Sequence, residues 1–235
     1  MSDPVSAPWV NRLLKAMPPD DAAAIFAQSA AVELRLRQTL HAPDVRIKDC
    51  YFVESGMVSI VAVLDEGDPM EMGVIGFDGF VGLPVVLGAG QSPGEAMVQL
   101  PGMALQIDGA VLKQIFDERV GARGVLLRYA QAMQVQVSQT AACNGRHDTE
   151  QRLARWLLMV VDKFRIQPIP LTQEFLSMML GVRRQQVSLT AAVLQNAGLI
   201  RYRHGSIEVV NRDGLEAVAC ECYGVVARES SRLFG

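Results

Sequence analysis

The spacing of apolar residues changes character along the chain, and each change predicts a different architecture. From about Trp9 to Leu40 the pattern reads as helical, with Leu13, Leu14, Met17, Ile25 and Phe26 as packing positions. Pro18-Pro19-Asp20-Asp21 breaks that run and offers a cap for a second helix. From about His41 to Ile107 the pattern shortens to strands. Met57–Leu64 is a β-branched run closed by the turn signal Asp65-Glu66-Gly67-Asp68, while Met70–Val74 and Met103–Ile107 alternate. Many short strands separated by Gly and Pro predict a sandwich, roll or barrel rather than a parallel sheet. A long helix follows from about Asp108 to Cys143, with no charged residue between Tyr129 and Asn144. Within it Leu126, Ala130, Met133, Val137, Thr140 and Asn144 are spaced 4, 3, 4, 3, 4, a heptad seam. The seam, with a further apolar flank at Val125, Tyr129 and Ala132, predicts a helix that lies against the β domain and joins a parallel homodimer through Leu126, Ala130, Met133, Val137 and Thr140; packing of the seam itself on the β domain is the competing reading.

Asn144-Gly145-Arg146-His147 then reads as a hinge, and Asp148-Thr149-Glu150-Gln151 resembles a capping box opening a helix over Arg152–Phe164. Pro168 and Pro170 lead out of that helix. Thr172 caps the next one, which runs to Leu180, and Gly181 supplies a turn. A further helix carries Val182–Ala197, with Val187, Ala191 and Leu194 on one buried face and Arg184, Gln185 and Ser188 free to reach outward. Gly198 ends it, and Leu199–Val210 predicts two short strands turned at His204-Gly205. Such an order is a winged helix-turn-helix. Asp213–Phe234 predicts one more helix. The fold class is α+β, divided into a sandwich, roll or barrel of short strands with N-terminal helices (1–110), a dimerisation helix and hinge (111–146) and a winged helix-turn-helix (147–235).

An Arg- and Gln-bearing helix suits the major groove of duplex DNA, where these side chains pair with base edges. Arg184 and Gln185 are the candidate base readers, Ser188 and Arg183 secondary base or phosphate contacts, and Thr172, Arg201 and Arg203 backbone contacts. Charge agrees with this division. Residues 1–145 hold 10 Lys/Arg against 16 Asp/Glu, net −6; residues 146–235 hold 12 against 9, net +3. Half of the 235 residues are hydrophobic and a fifth charged, as in a globular protein with real cores. No apolar run reaches the roughly 18 residues of a membrane span, and Met1-Ser2-Asp3-Pro4 does not open a secretory signal, so a cytoplasmic protein without a membrane partner is expected.

Candidate chemistry adds little else. Cys50, Cys143 and the Cys220/Cys222 pair lack metal-ligand spacing, and His41, His147 and His204 stand apart, so free thiols and no metal or cofactor are expected. On a helix, Cys220 and Cys222 would point in different directions. Asp20-Asp21, Asp65-Glu66 and Asp117-Glu118 fall at turns or helix ends, and no nucleophile–base motif accompanies them, so an enzyme is not expected. The competing reading is a ligand-binding sensor whose winged helix mediates protein–protein contacts.

The order of parts resembles the Crp–Fnr family of transcription regulators over essentially the whole chain. Glu150–Leu158, Leu171–Leu176 and Leu180-Gly181-Val182-Arg183-Arg184 carry the resemblance in the DNA-binding half, and Tyr51–Ser59 in the sensor. The resemblance implies a homodimer on a palindromic DNA site, RNA polymerase as a further partner, and a β-roll sensor that moves the long helices about the Asn144–His147 hinge. Of the family's Arg-Glu-x-x-x-Arg reading pattern, Arg184 is kept, Gln185 stands for the Glu and Leu189 for the second Arg, so a different half-site is expected; Ser188 matches a serine of the Fnr-like members. In the sensor, Gly82 is kept, but Leu83 stands where cyclic-nucleotide binders hold the ribose with Glu, and Gly94-Glu95 falls near their phosphate-binding Arg. Cyclic-AMP binding is therefore not expected, and the effector is left unassigned. The N-terminal cysteine cluster of the oxygen-sensing members is absent.

Overall fold

In the computed structural model, which describes residues 9–63, 69–164 and 167–234, the first helices are pinned by one buried side chain. Asn11 caps α1 (Arg12–Ala16) by accepting from the amides of Leu13 and Leu14 at 3.0 and 3.2 Å. Its Nδ2 also donates to the carbonyls of Val53 and Gly79, each at 2.8 Å, so the cap is tied into the β domain. After α2 (Pro19–Ala27) the chain turns into strands earlier than its apolar spacing predicts. β1 (Ser29–Leu34) pairs antiparallel along the whole of β8 (Gly102–Asp108), from Ser29 opposite Ile107 to Leu34 opposite Gly102. Helix-favouring Ala30 and Ala31 are overridden there by a full ladder of inter-strand hydrogen bonds.

The remaining strands are β2 (Thr39–His41), β3 (Asp49–Val53), β4 (Met57–Ala62), β5 (Met70–Ile75), β6 (Phe80–Val81) and β7 (Gly94–Leu100), with a short α3 (Leu83–Val86) before β7. They form two four-stranded antiparallel sheets, β1-β8-β3-β6 and β2-β7-β4-β5, the expected β-roll. Phe52 and Phe80, stacked 5.3 Å apart, lie in its core with Val58, Val98 and Ile107. Leu64 and the turn signal at 65–68 lie outside the described residues.

The predicted single helix over Asp108–Cys143 is two. α4 (Gly109–Glu118) is capped by Asp108, and Arg119 adopts an extended conformation before α5 (Val120–Arg146). Asp21 explains the break: its carboxylate accepts from the Ala122 amide at 2.8 Å and pairs with Arg119 at 3.2 Å, starting a new helix. At 27 residues α5 is about 40 Å long, and it runs unbroken through the expected hinge as far as Arg146. Only His147 and Asp148 separate it from α6 (Thr149–Phe164), where Asp148 accepts from the Gln151 amide at 2.9 Å.

β9 (Ile169–Pro170), α7 (Gln173–Leu180), α8 (Arg184–Asn196), β10 (Ile200–Arg203) and β11 (Ser206–Val209) complete the winged helix-turn-helix, and β9 adds a third strand to the wing. The predicted last helix is again two, α9 (Arg212–Val218) and α10 (Cys222–Phe234). α10 packs back along α5, so Leu233 joins the sensor core and the Phe234 ring sits 4.0 Å from the Arg12 guanidinium.

Two further expectations are corrected by this packing. Leu126 is fully buried and Met133 is 8% exposed, both inside the chain's own sensor core with Val125 and Tyr129. They are not on the free face of α5, whereas Ala130, Val137 and Thr140 keep partial exposure. The cysteines are not scattered either. Cys143 at the end of α5, His147 at its cap, and Cys220 and Cys222 at the α9–α10 turn place their ligand atoms within 4.8 Å of one another. Cys220 precedes α10 instead of lying on it, so the helical argument against convergence does not apply.

Candidate nucleic-acid interface

Local chemistry fixes the reading head. Thr172 Oγ1 accepts from the Phe175 amide at 3.1 Å and caps α7, and Gly181, at φ 59° and ψ 39°, ends it in the left-handed conformation. A Cβ at Gly181 would stand 2.8 Å from the terminal methyl of Met70, which can move aside, so it is the left-handed φ that calls for glycine here. α8 buries Val187, Thr190, Ala191 and Leu194 and holds Arg184, Gln185, Leu189 and Val193 in solvent. The wing turns through His204 (φ 48°) and Gly205 (φ 75°), a two-residue loop with both φ positive, whose twist suits a hairpin.

Three contacts set the wing against the helices. Gln195 Oε1 accepts from the Tyr202 amide at 2.7 Å, the Tyr202 hydroxyl donates to the Leu171 carbonyl at 3.3 Å, and the Leu171 amide donates to the Gly205 carbonyl at 2.7 Å. Thr172, Arg184, Arg203 and His204 consequently border one open cleft of about 550 Å³. Arg183 and Gln185 lie exposed beside it at the start of α8. Arg201 faces Glu208 across the wing at 2.5 Å, and Arg184 meets Glu174 of α7 at 3.3 Å. Both pairs are solvent-exposed and hold their arginines by at most about 1 kcal/mol, so either can exchange a carboxylate for a phosphate or base edge. Ser188 donates its hydroxyl to the Arg184 carbonyl at 3.1 Å.

The sequence reading missed the roles of Gln195 and Glu174, and placed Tyr202 only with the wing's phosphate contacts, because their partners lie on other elements and leave no local signal. It treated Leu189 only as a lost arginine. At 59% exposure on the outer face of α8, Leu189 offers an apolar contact of the kind that reads a thymine methyl.

The winged helix-turn-helix is docked on the β-roll through α6. Trp156 Nε1 donates to Glu71 Oε1 at 2.7 Å, Ser59 donates to Glu71 Oε2 at 2.6 Å, and Lys163 pairs with Asp78 at 2.5 Å where both side chains are nearly buried. Burial pushes the Glu71 carboxyl up to about 7, against the hydrogen bonds from Ser59 and Trp156 and the charge of Arg155. The folded chain therefore binds a proton that the unfolded chain, with an ordinary value of 4.5, gives up. Stability from this group is complete below pH 4.5 and falls as pH rises through about 7, by up to about 1.4 kcal/mol per pH unit. Glu71→Gln keeps an acceptor for Trp156 without ionising. Urea unfolding across this range is expected to show the wild type losing stability relative to Glu71→Gln as pH rises; parallel curves would refute the assignment.

Between the roll and α5 lies a cavity of about 550 Å³, lined mainly by apolar groups including Ile60, Phe80, Leu83 and Met133. Among the described residues its lining has no Lys or Arg to meet a phosphate, and Leu83 projects into it. Glu95, one residue beyond the lining Gly94, instead accepts from the Thr39 hydroxyl at 2.6 Å.

Residues 151–218 match the family model of the Crp-like helix-turn-helix domain. The chain carries a Crp-like helix-turn-helix. No curated protein sequence matches the chain significantly. Among solved structures, FixK2 from Bradyrhizobium japonicum superposes with a TM-score of 0.73 at 16% identity, covering 82% of this chain and 98% of that one. A putative transcriptional regulator of the crp/fnr family from Eubacterium rectale gives 0.68 at 16%, covering 88% and 96%. The c-di-GMP responsive regulator CLP from Xanthomonas campestris gives 0.65 at 18%, covering 82% and 99%. The residues matching the Crp-like domain are thus joined to a β-roll and a long helix in the fold of these structures, over 82–88% of the chain. No helix among the described residues is long and apolar enough to cross a membrane.

Proposed function

We propose that the protein is a homodimeric transcription regulator that binds a two-fold symmetric site in duplex DNA. The observation that carries this reading is the exposed face of α8, where Arg183, Arg184, Gln185 and Leu189 stand clear of the body beside a wing bearing Arg201 and Arg203. Arg184 and Gln185 read base edges, Arg183 and Ser188 add secondary contacts, and Thr172, Arg201 and Arg203 hold phosphates. Two such heads enter successive major grooves about 34 Å apart. Residues 1–110 serve as sensor, 111–146 as dimerisation element and 147–235 as reading head, in the cytoplasm and in contact with RNA polymerase.

Dimerisation falls to the free face of α5. Leu127, Gln131, Gln134, Ser138 and Ala141 are exposed at spacings of 4, 3, 4 and 3, one residue on from the seam that the sequence pattern predicts. Ala130, Val137 and Thr140 flank this stripe. Leu127, Ala130, Gln131, Gln134, Val137 and Ser138 also line the sensor cavity, so a partner helix laid on them closes its mouth. An effector held there would bear directly on helix pairing, and the lining favours an uncharged, largely apolar molecule over a cyclic nucleotide.

Selection of bound sequences from random duplex DNA tests the reading and is expected to return a palindrome. Affinity for that palindrome should fall log-linearly with salt, by about 0.9 log units per log unit of salt for each phosphate contact. Arg203→Ala is expected to reduce the slope by about 1 per chain with sequence preference unchanged. Binding that ignores ionic strength would favour a winged helix that docks protein instead.

A further inference from the structure

One group of side chains has no part in reading DNA. Among the described residues, Cys143, His147, Cys220 and Cys222 alone form a cluster with metal-ligating chemistry. Cys143 Sγ lies 3.5 Å from Cys220 Sγ, and Cys222 Sγ lies 3.5 Å from His147 Nδ1. A tetrahedral zinc ion with bonds of about 2.3 Å to sulfur and 2.0–2.1 Å to nitrogen sets its ligands about 3.5–3.8 Å apart, so the four atoms need only a small contraction.

The surroundings are those of a ligand shell. His147 turns its other ring nitrogen, Nε2, to Glu221 Oε2 at 3.2 Å, the carboxylate–histidine arrangement that orients an imidazole on a metal. Gln139 Nε2 donates to Cys222 Sγ at 3.1 Å. Arg155, almost wholly buried, and Arg152 both leave Nε without a partner, and both interact electrostatically with Cys143. Three thiolates around a divalent ion leave one net negative charge, which gives these guanidinium groups a counterion. Three sulfurs and one imidazole, the sulfurs all buried, match zinc and no hard cation.

We propose that Cys143, His147, Cys220 and Cys222 form a zinc site that clamps the end of α5 to the α9–α10 turn. The clamp crosses the junction between the long helix and the reading head, at the place where the sequence pattern predicts a hinge. A bound ion fixes α10 along α5 and sets the angle at which α6 leaves it.

The test reads the metal directly and without DNA, so its failure would leave the DNA-binding reading intact. Full-length, fully reduced protein is titrated with cobalt(II) and then zinc(II). A single cobalt per chain is expected, with thiolate-to-metal charge-transfer absorption and strong tetrahedral ligand-field bands, all bleached by equimolar zinc. Cys222→Ser and His147→Gln should lose the spectrum at equimolar cobalt. Glu221→Gln, at an exposed position away from any core, should keep the spectrum with about 10- to 100-fold weaker affinity. Cys50→Ala, outside the cluster, should bind cobalt like the wild type. Zinc should also raise the thermal midpoint of the wild type and not that of Cys222→Ser. No charge-transfer band in protein whose four thiols all titrate as free would overturn the proposal. So would a spectrum that survives Cys222→Ser, or iron with acid-labile sulfide in place of zinc. A Cys143–Cys220 disulfide formed in air by protein that binds no metal would equally reject it.

Discussion

Leu126→Ala is expected to cost about 2–5 kcal/mol of folding stability and to leave the folded chains dimeric. Leu127→Asp, one residue away, is expected to do the reverse. Leu126 is fully enclosed among Val125, Tyr129 and the sheet residues of its own sensor, so truncation opens a cavity in a single chain. Leu127 is 46% exposed about 100° round the axis of α5, where a carboxylate would face its twin across the proposed seam. Urea unfolding measures the first effect, and sedimentation equilibrium with retained helical circular dichroism measures the second. If Leu126→Ala dissociated the dimer without loss of stability, the orientation of α5 described above would be wrong.

Arg184→Ala should weaken binding to the selected palindrome by about 1–3 kcal/mol per half-site, or roughly 5- to 150-fold, and relax preference at the base it contacts. In the free protein Arg184 rests on Glu174, an exposed pair that costs little to break. Glu174→Ala should therefore change affinity far less than Arg184→Ala does. Quantitative footprinting on the palindrome and on single-base variants separates the two effects. An Arg184→Ala protein with unchanged affinity and unchanged base preference would remove Arg184 from the reading face.

The parts of the reading head that were legible in the sequence share one property: their chemistry is complete within a few residues. Thr172 caps α7 by bonding an amide three residues on, Gly181 relieves strain at its own φ, and His204-Gly205 form a turn by themselves. The inward face of α8 was legible for a related reason. Val187, Ala191 and Leu194 repeat at helical spacing and share one face, while the apolar Leu189 and Val193 fall outside it and stay exposed. β4, β5 and β8 of the roll were readable, but β1 was not, because its pairing with β8 lies some seventy residues away in the chain.

α5 marks where pattern alone reaches its limit. The seam expected from the pattern includes Leu126 and Met133, which the chain encloses in its own β-roll core, while the exposed stripe of α5 lies one residue on, about 100° round the helix axis. With no charge between Tyr129 and Asn144, the sequence has no polar stripe to tell the face packed on the sensor from the face left free. The amino-acid order by itself determined the helices, caps and turns of the winged helix-turn-helix and the residues that α8 offers to solvent, since each follows from neighbours along the chain, but not β1 or the break between α4 and α5. Only the tertiary structure decided which side of α5 is enclosed, where α10 returns, and that Cys143 and His147 meet Cys220 and Cys222. Those outcomes depend on how whole helices and sheets exclude water from one another, and spacing along the chain does not encode that.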